Sequence, residues 1–133
     1  MGHVISFSDI HLGDEHTIFS SPERCRTFAE QIGEMVNGEA IDCCVMNGDI
    51  FEAAIPQAAT EEELAQLDPP VPTVDGIPLY PPLVVLQARR FFDALLSTLD
   101  IETLVWVPGN HDLAIWAQVV HGMERRQLWT RDN

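Results

Sequence analysis

Three short stretches carry the side chains with which this sequence can do chemistry: Ser8-Asp9-Ile10-His11-Leu12-Gly13, Gly48-Asp49-Ile50-Phe51-Glu52 and Gly109-Asn110-His111-Asp112. In the first, a carboxylate and an imidazole stand two residues apart, so that in an extended segment Asp9 and His11 point the same way toward one ion. Gly48 lets the backbone turn tightly and present the Asp49 carboxylate. A carboxylate has two oxygens and can bridge two cations held about 3.5–4 Å apart, the separation used in two-metal phosphoester hydrolysis. Asn110, placed by Gly109, offers a neutral carbonyl oxygen as a ligand. His111 can serve as a general acid or as a positive donor to a phosphoryl oxygen, with Asp112 fixing its tautomer and orientation. Taken singly, each stretch has a plainer reading as a turn former or a helix cap. Their joint placement makes the chemical reading, and that placement depends on the elements around them.

Hydrophobic periodicity identifies those elements without reference to chemistry. His3 to Phe7 reads as a first strand ending at Ser8-Asp9. Ser20-Ser21-Pro22-Glu23 supplies an N-cap serine, a first-turn proline and an early carboxylate. The apolar positions Cys25, Phe28, Ala29, Ile32, Met35 and Val36 then follow helical spacing up to Gly38. Ile41 to Met46 is a nearly continuous apolar run, as in a parallel strand buried on both faces. Thr60 to Leu67 reads as a short acidic helix. Residues 68–82 hold six of the nine prolines, which makes 58–82 an acidic and proline-rich insertion, either a surface loop or a lid over the strand ends. A second amphipathic helix runs from Leu83 to Leu99, with Val84, Ala88, Phe91, Phe92, Leu95 and Leu99 inward. Thr103 to Val107 is the next strand, and a final helical stretch covers about Leu113 to Leu128. Strand, helix, strand, helix, strand implies parallel strands with right-handed crossovers, whose C-terminal ends share one ligand-binding edge. All three chemical stretches fall at that edge.

The same residues resemble the first three sequence blocks of the calcineurin-like metallophosphoesterase superfamily, over residues 8–112. The resemblance implies a β-sandwich flanked by helices (αββα), of which this chain would hold the N-terminal βαβαβ portion. It implies a metal-dependent phosphoester hydrolase with two divalent cations, commonly manganese, iron or zinc, and a metal-bound hydroxide as nucleophile. Asp9 and His11 would then hold the first metal, Asp49 would bridge both, Asn110 would hold the second, and His111 would act at the phosphoryl group. Glu52 stands where the family usually has Asp, in a supporting role with Gly48 and Gly109. The family continues with two further strands bearing a His and a Gly-His-x-His block. This chain ends at Asn133 without them, so residues 1–133 are expected to form a single domain truncated at its C-terminus, with a sheet edge left uncovered and the shell of two metals incomplete. His121-Gly122 only superficially resembles the fourth block; His121, His3 and His16 read as surface or packing histidines. The alternative function is a non-catalytic metal-binding or interaction module, a remnant or fragment of such an enzyme.

Composition narrows the partners. Twenty-one Asp and Glu against seven Arg and no Lys give a net charge of −14, which disfavours a nucleic-acid partner because phosphate backbones are bound by basic stripes. The acidity is equally the mark of a host adapted to high salt or high GC content. A phosphorylated small molecule or protein is the expected substrate. No apolar run approaches a membrane span and no signal peptide is visible, so the expected setting is the cytoplasm, with Cys25, Cys43 and Cys44 reduced.

Overall fold

A computed structural model of the chain describes residues 2–52, 59–78 and 80–112. The expected final helix over 113–128, with His121, lies outside these residues, as does residue 58 at the start of the insertion. The described elements are β1 (Val4–Phe7), α1 (Pro22–Met35), β2 (Ile41–Asn47), α2 (Glu61–Ala65), the two-residue strands β3 (Thr73–Val74) and β4 (Ile77–Pro78), α3 (Pro82–Thr98) and β5 (Ile101–Val107). They form a small α/β domain around a three-stranded parallel sheet in the order β1-β2-β5. Cys44 pairs with Ile5 on one side and Leu104 on the other, and Met46 with Phe7 and Trp106.

The strand order advances in one direction, so two right-handed crossovers place both helices on the same face of the sheet. The core forms there. Cys25, Ala29 and Ile32 of α1, Phe91 and Leu95 of α3, and Ile41, Cys44 and Met46 of β2 make one buried cluster. At its centre Phe91, 1% exposed, meets Phe19 and Phe7 edge-on at centroid distances of 5.3 and 5.9 Å. A side chain buried to that degree contributes about 1.5–3 kcal/mol through transfer from water alone.

The opposite face differs from expectation. The apolar run Ile41 to Met46 predicts a strand buried on both faces, yet on the side away from the helices Cys43 and Val45 are only half-buried and Asn47 is exposed. Val4, Val105 and Val107, in register on that face, are 70%, 37% and 45% exposed. Among the described residues no helix covers this side. Of the thiols, Cys25 and Cys44 are buried and Cys43 half-buried, and all three are free. Burial pushes the Cys44 thiol up to about 11, with Cys43 adding to it, and raises that of Cys25, which keeps both in the inert protonated form at neutral pH.

Helix boundaries follow local chemistry closely. Pro22 opens α1 with Ser21 at the N-cap, although the Ser21 side chain makes no capping bond. The chain leaves α1 through Asn37 and Gly38, both at positive φ, with the Gly38 amide on the Gly33 carbonyl at 2.8 Å. Thr60 and Glu63 close a full capping box on α2. The insertion lies along α3. Leu67 and Val71 bury against Leu86, Arg89 donates to the Pro69 carbonyl at 2.6 Å, and Arg90 donates to Gln66 and to the Ser20 carbonyl. No helix among the described residues is long and apolar enough to cross a membrane.

Candidate metal centre

The loops leaving β1, β2 and β5 converge because their backbones keep pairing beyond the strands. Asp9 and His11 donate to the carbonyls of Gly48 and Asp49, both at 3.1 Å, Leu12 donates to Ile50 at 2.8 Å, and Glu52 donates back to Leu12 at 2.7 Å. Gly48 in turn donates to Val107 at 2.8 Å. The Asp-x-His segment is not extended, as the spacing suggested. Asp9, His11 and Asp49 all lie in the left-handed region, with φ of 57°, 54° and 52°, a conformation costly for residues bearing a β-carbon and typical of functional sites. Gly48, with φ of 85°, supplies the turn expected of it. The left-handed kinks, rather than strand alternation, bring His11 Nε2 to 3.5 Å from Asp9 Oδ1.

Among the described residues, two groups of three side chains can each hold one ion, their ligand atoms lying within 4.8 Å of one another: Asp9, His11 and Asp49, and His11, Glu52 and His111. The geometry favours the first. Glu52, 6% exposed, stands between two rings, with Oε2 at 3.2 Å from His11 Nδ1 and 2.8 Å from His111 Nδ1. A carboxylate accepts, which puts a proton on each Nδ1. Nε2 of His11 is thereby left as a lone-pair donor toward Asp9 and Asp49, the carboxylate–histidine–metal arrangement that orients an imidazole ligand. Two carboxylates and one imidazole suit a divalent cation of the manganese, iron or zinc kind, and the exposure of Asp9 and half-exposure of Asp49 leave room for further ligands.

Glu52 also governs His111. Its hydrogen bond and its charge raise the pKa of His111, with Asp49 and Asp112 adding to the effect. The two rings meet edge-on with centroids 5.4 Å apart. This corrects the role expected of Asp112. The carboxylate on the His111 ring is that of Glu52, whereas Asp112 is fully buried and accepts from the backbone amides of Phe51, Gly109 and Ile50 at 2.6, 2.9 and 3.3 Å, and from Trp106 Nε1 at 3.4 Å. Asp112 therefore ties the β2 and β5 loops together. Asp49 is held from the same side, its Oδ1 accepting from the His111 amide at 3.0 Å. Asn110 shares the 3-10 turn Asn110–Asp112 and is exposed. His3 and His16 lie apart, each against a glutamate, Glu39 and Glu15.

Sequence reasoning did not single out Gln87. Its side chain is 2% exposed and makes two bonds to the β1 loop, accepting from the Gly13 amide at 2.8 Å and donating to the Asp14 carbonyl at 3.1 Å. A lone polar residue on the buried stripe of an amphipathic helix was the available signal. Gly109 has a stricter requirement: a β-carbon there would lie 2.5 Å from Asp49 Oδ1 and 2.6 Å from the Asp49 nitrogen. Gly109→Ala is expected to displace Asp49 and weaken Mn²⁺ binding at least about tenfold, as loss of ligand support does, which titration calorimetry would measure. Unchanged affinity would show that the two loops need not approach this closely.

No protein-family model, curated protein or solved structure matches the chain.

Proposed function

We propose that this chain is a metal-dependent phosphoester hydrolase of the calcineurin-like metallophosphoesterase type, built on the αββα architecture of which the described βαβαβ unit would be one half. The observation that carries the reading is the convergence of Asp9, His11 and Asp49 around space for one ion, with His111 and its buried partner Glu52 immediately beside them. A second ion would take Asp49 as a bridging ligand and Asn110 as a neutral one.

When bound, divalent cations in such a site polarise the phosphoryl oxygens and lower the pKa of water. The protein's own part follows from its contacts. Asp9, His11 and Asp49 would hold the ion and so set where a phosphoryl group is bound. Glu52 holds the Nδ1 proton of both rings, so His11 keeps one coordinating nitrogen and His111 turns Nε2 outward. With its pKa raised by Glu52, His111 retains a proton there to place on the leaving oxygen as the ester bond breaks. A scaffold needs the metal ligands but has no use for a proton held on His111 by a buried carboxylate, and this supports the enzyme reading over a non-catalytic metal-binding module.

The test is hydrolysis of a generic aryl phosphate by the purified chain with Mn²⁺ present. Metal-dependent turnover is expected, and Asp49→Asn should weaken Mn²⁺ binding at least about tenfold. Intact metal binding without turnover would leave the scaffold reading; undiminished binding by Asp49→Asn would remove the site itself.

A further inference from the structure

A cavity of about 470 Å³ lies between α3, the insertion and Phe51, the residue that precedes Glu52. Its walls are apolar and rich in rings, from Phe51, Tyr80, Val84, Ala88 and Phe92, with one Arg89 and one Asp93 whose charges balance. In a chain of net charge −14, this is a locally neutral concavity of the size and character that small organic ligands fill.

Phe51 immediately precedes Glu52, its amide is held by Asp112 at 2.6 Å, and its ring packs edge-on against Trp106 with centroids 5.4 Å apart. Val84 lies against the loop that follows His11: a β-carbon on Gly13 would collide with the Val84 side chain and lie 3.2 Å from the Glu52 carbonyl. The segment that carries Glu52 therefore supplies one wall of the cavity, and Val84, another, packs on the loop that follows His11. The insertion contributes Tyr80 and Pro72, and it is anchored on α3 through Leu67, Val71 and the Arg89 bond to Pro69, so the concavity is formed before any ligand arrives. Three aromatic side chains around neutral space favour a flat aromatic group, which gains edge-to-face contacts beyond simple burial.

We propose that this cavity is an aryl-binding subsite beside the metal centre, which makes aryl phosphoesters the substrate class of the site. The substrate assignment rests on the phosphoesterase reading; the subsite can be tested without it. The probe is 2-naphthol, which has the ring and no phosphate, titrated into the full chain and followed by side-chain NMR signals. Shifts are expected at Phe51, Val84, Ala88 and Phe92, and Ala88→Phe, which fills the cavity, should weaken binding about tenfold, the scale on which a pocket discriminates one misplaced apolar group. Ala88→Leu is the milder filling variant should the first fail to fold, with a smaller loss in the same direction. Mn²⁺ bound at Asp9, His11 and Asp49 should add paramagnetic relaxation to the protons of bound 2-naphthol, and Asp49→Asn should remove it. Undiminished 2-naphthol binding by the folded filling variants overturns the subsite. Binding without Mn²⁺-induced relaxation overturns its place beside the metal centre. Failure of the phosphoesterase reading registers differently, as no hydrolysis of methyl phosphate or 2-naphthyl phosphate while both of these signals persist.

Discussion

Asp112→Ala should unfold at a much lower urea concentration than the parent chain, with a loss of about 3–5 kcal/mol, because it strips acceptors from several buried donors at once. The side chain is fully buried, and it accepts from the amides of Ile50, Phe51 and Gly109 and from the indole of Trp106. Hydrogen bonds to a charged group contribute about 1.5–3 kcal/mol each, and contacts within one network do not add fully. Small domains hold about 5–15 kcal/mol in all, so the midpoint measured by circular dichroism should fall steeply. The comparison is Asp9→Asn. Asp9 carries a side chain 66% exposed, and asparagine tolerates its left-handed backbone. That change should leave the stability within about 0.5 kcal/mol of the parent while weakening Mn²⁺ binding. Equal stability losses in the two variants would mean that Asp112 is not the tie between the β2 and β5 loops.

Asp112 also shows where the sequence stops being informative. The strands and helices were legible because apolar spacing depends only on which side chains face a core: α1, α3 and the parallel strands lie where periodicity placed them, within a residue or two at most ends. The gathering of Asp9, His11, Asp49 and His111 at one edge followed from parallel topology. Which carboxylate serves which partner did not. Asp112 follows His111 in the chain and reads as its natural orienter, but a residue adjacent in a 3-10 turn points elsewhere, and Glu52, arriving from another strand, reaches the ring instead. Spacing likewise suggested an extended Asp-x-His, whereas the cross-loop bonds of Asp9 to Gly48 and His11 to Asp49 hold both residues left-handed. Such long-range pairings leave no periodic trace. The hairpin β3–β4 is too short to be read from alternation. Gln87 was hidden for a different reason, since a polar residue on a buried helical stripe reveals its burial and not its partner.

Glu52→Gln is expected to lower kcat for an aryl phosphate by about 10²-fold, within the range that one positioned proton donor contributes, with a smaller loss in Mn²⁺ affinity. The substitution keeps shape and volume but replaces one acceptor oxygen by a donor nitrogen. Glu52 now accepts from both His11 and His111. Oε2 faces both Nδ1 atoms and Oε1 faces only that of His111, so a glutamine that keeps its carbonyl oxygen in the place of Oε2 sets its amide nitrogen against His111 Nδ1, which must give up its proton to accommodate it. The opposite amide orientation sets the nitrogen against both rings, and loss at each ring has its own signature. A changed His11 would present the wrong tautomer to the ion and show as weaker metal binding; a changed His111 would lose its proton for the leaving oxygen and show in kcat. The structure favours the second outcome, because His111 has the shorter contacts, 2.8 and 2.9 Å against 3.2 Å, and depends on Glu52 for its raised pKa. Removing that carboxylate lowers the pKa of His111, so the protonated form is lost at a lower pH. The alkaline limb of the pH–rate profile should therefore move toward acid, and NMR titration of the His111 ring should move with it. A fall in activity with both limbs in place would make Glu52 a packing residue, and Glu52→Asp provides the further check: it keeps the charge while shortening the reach, so it should restore part of the alkaline limb even where kcat stays low.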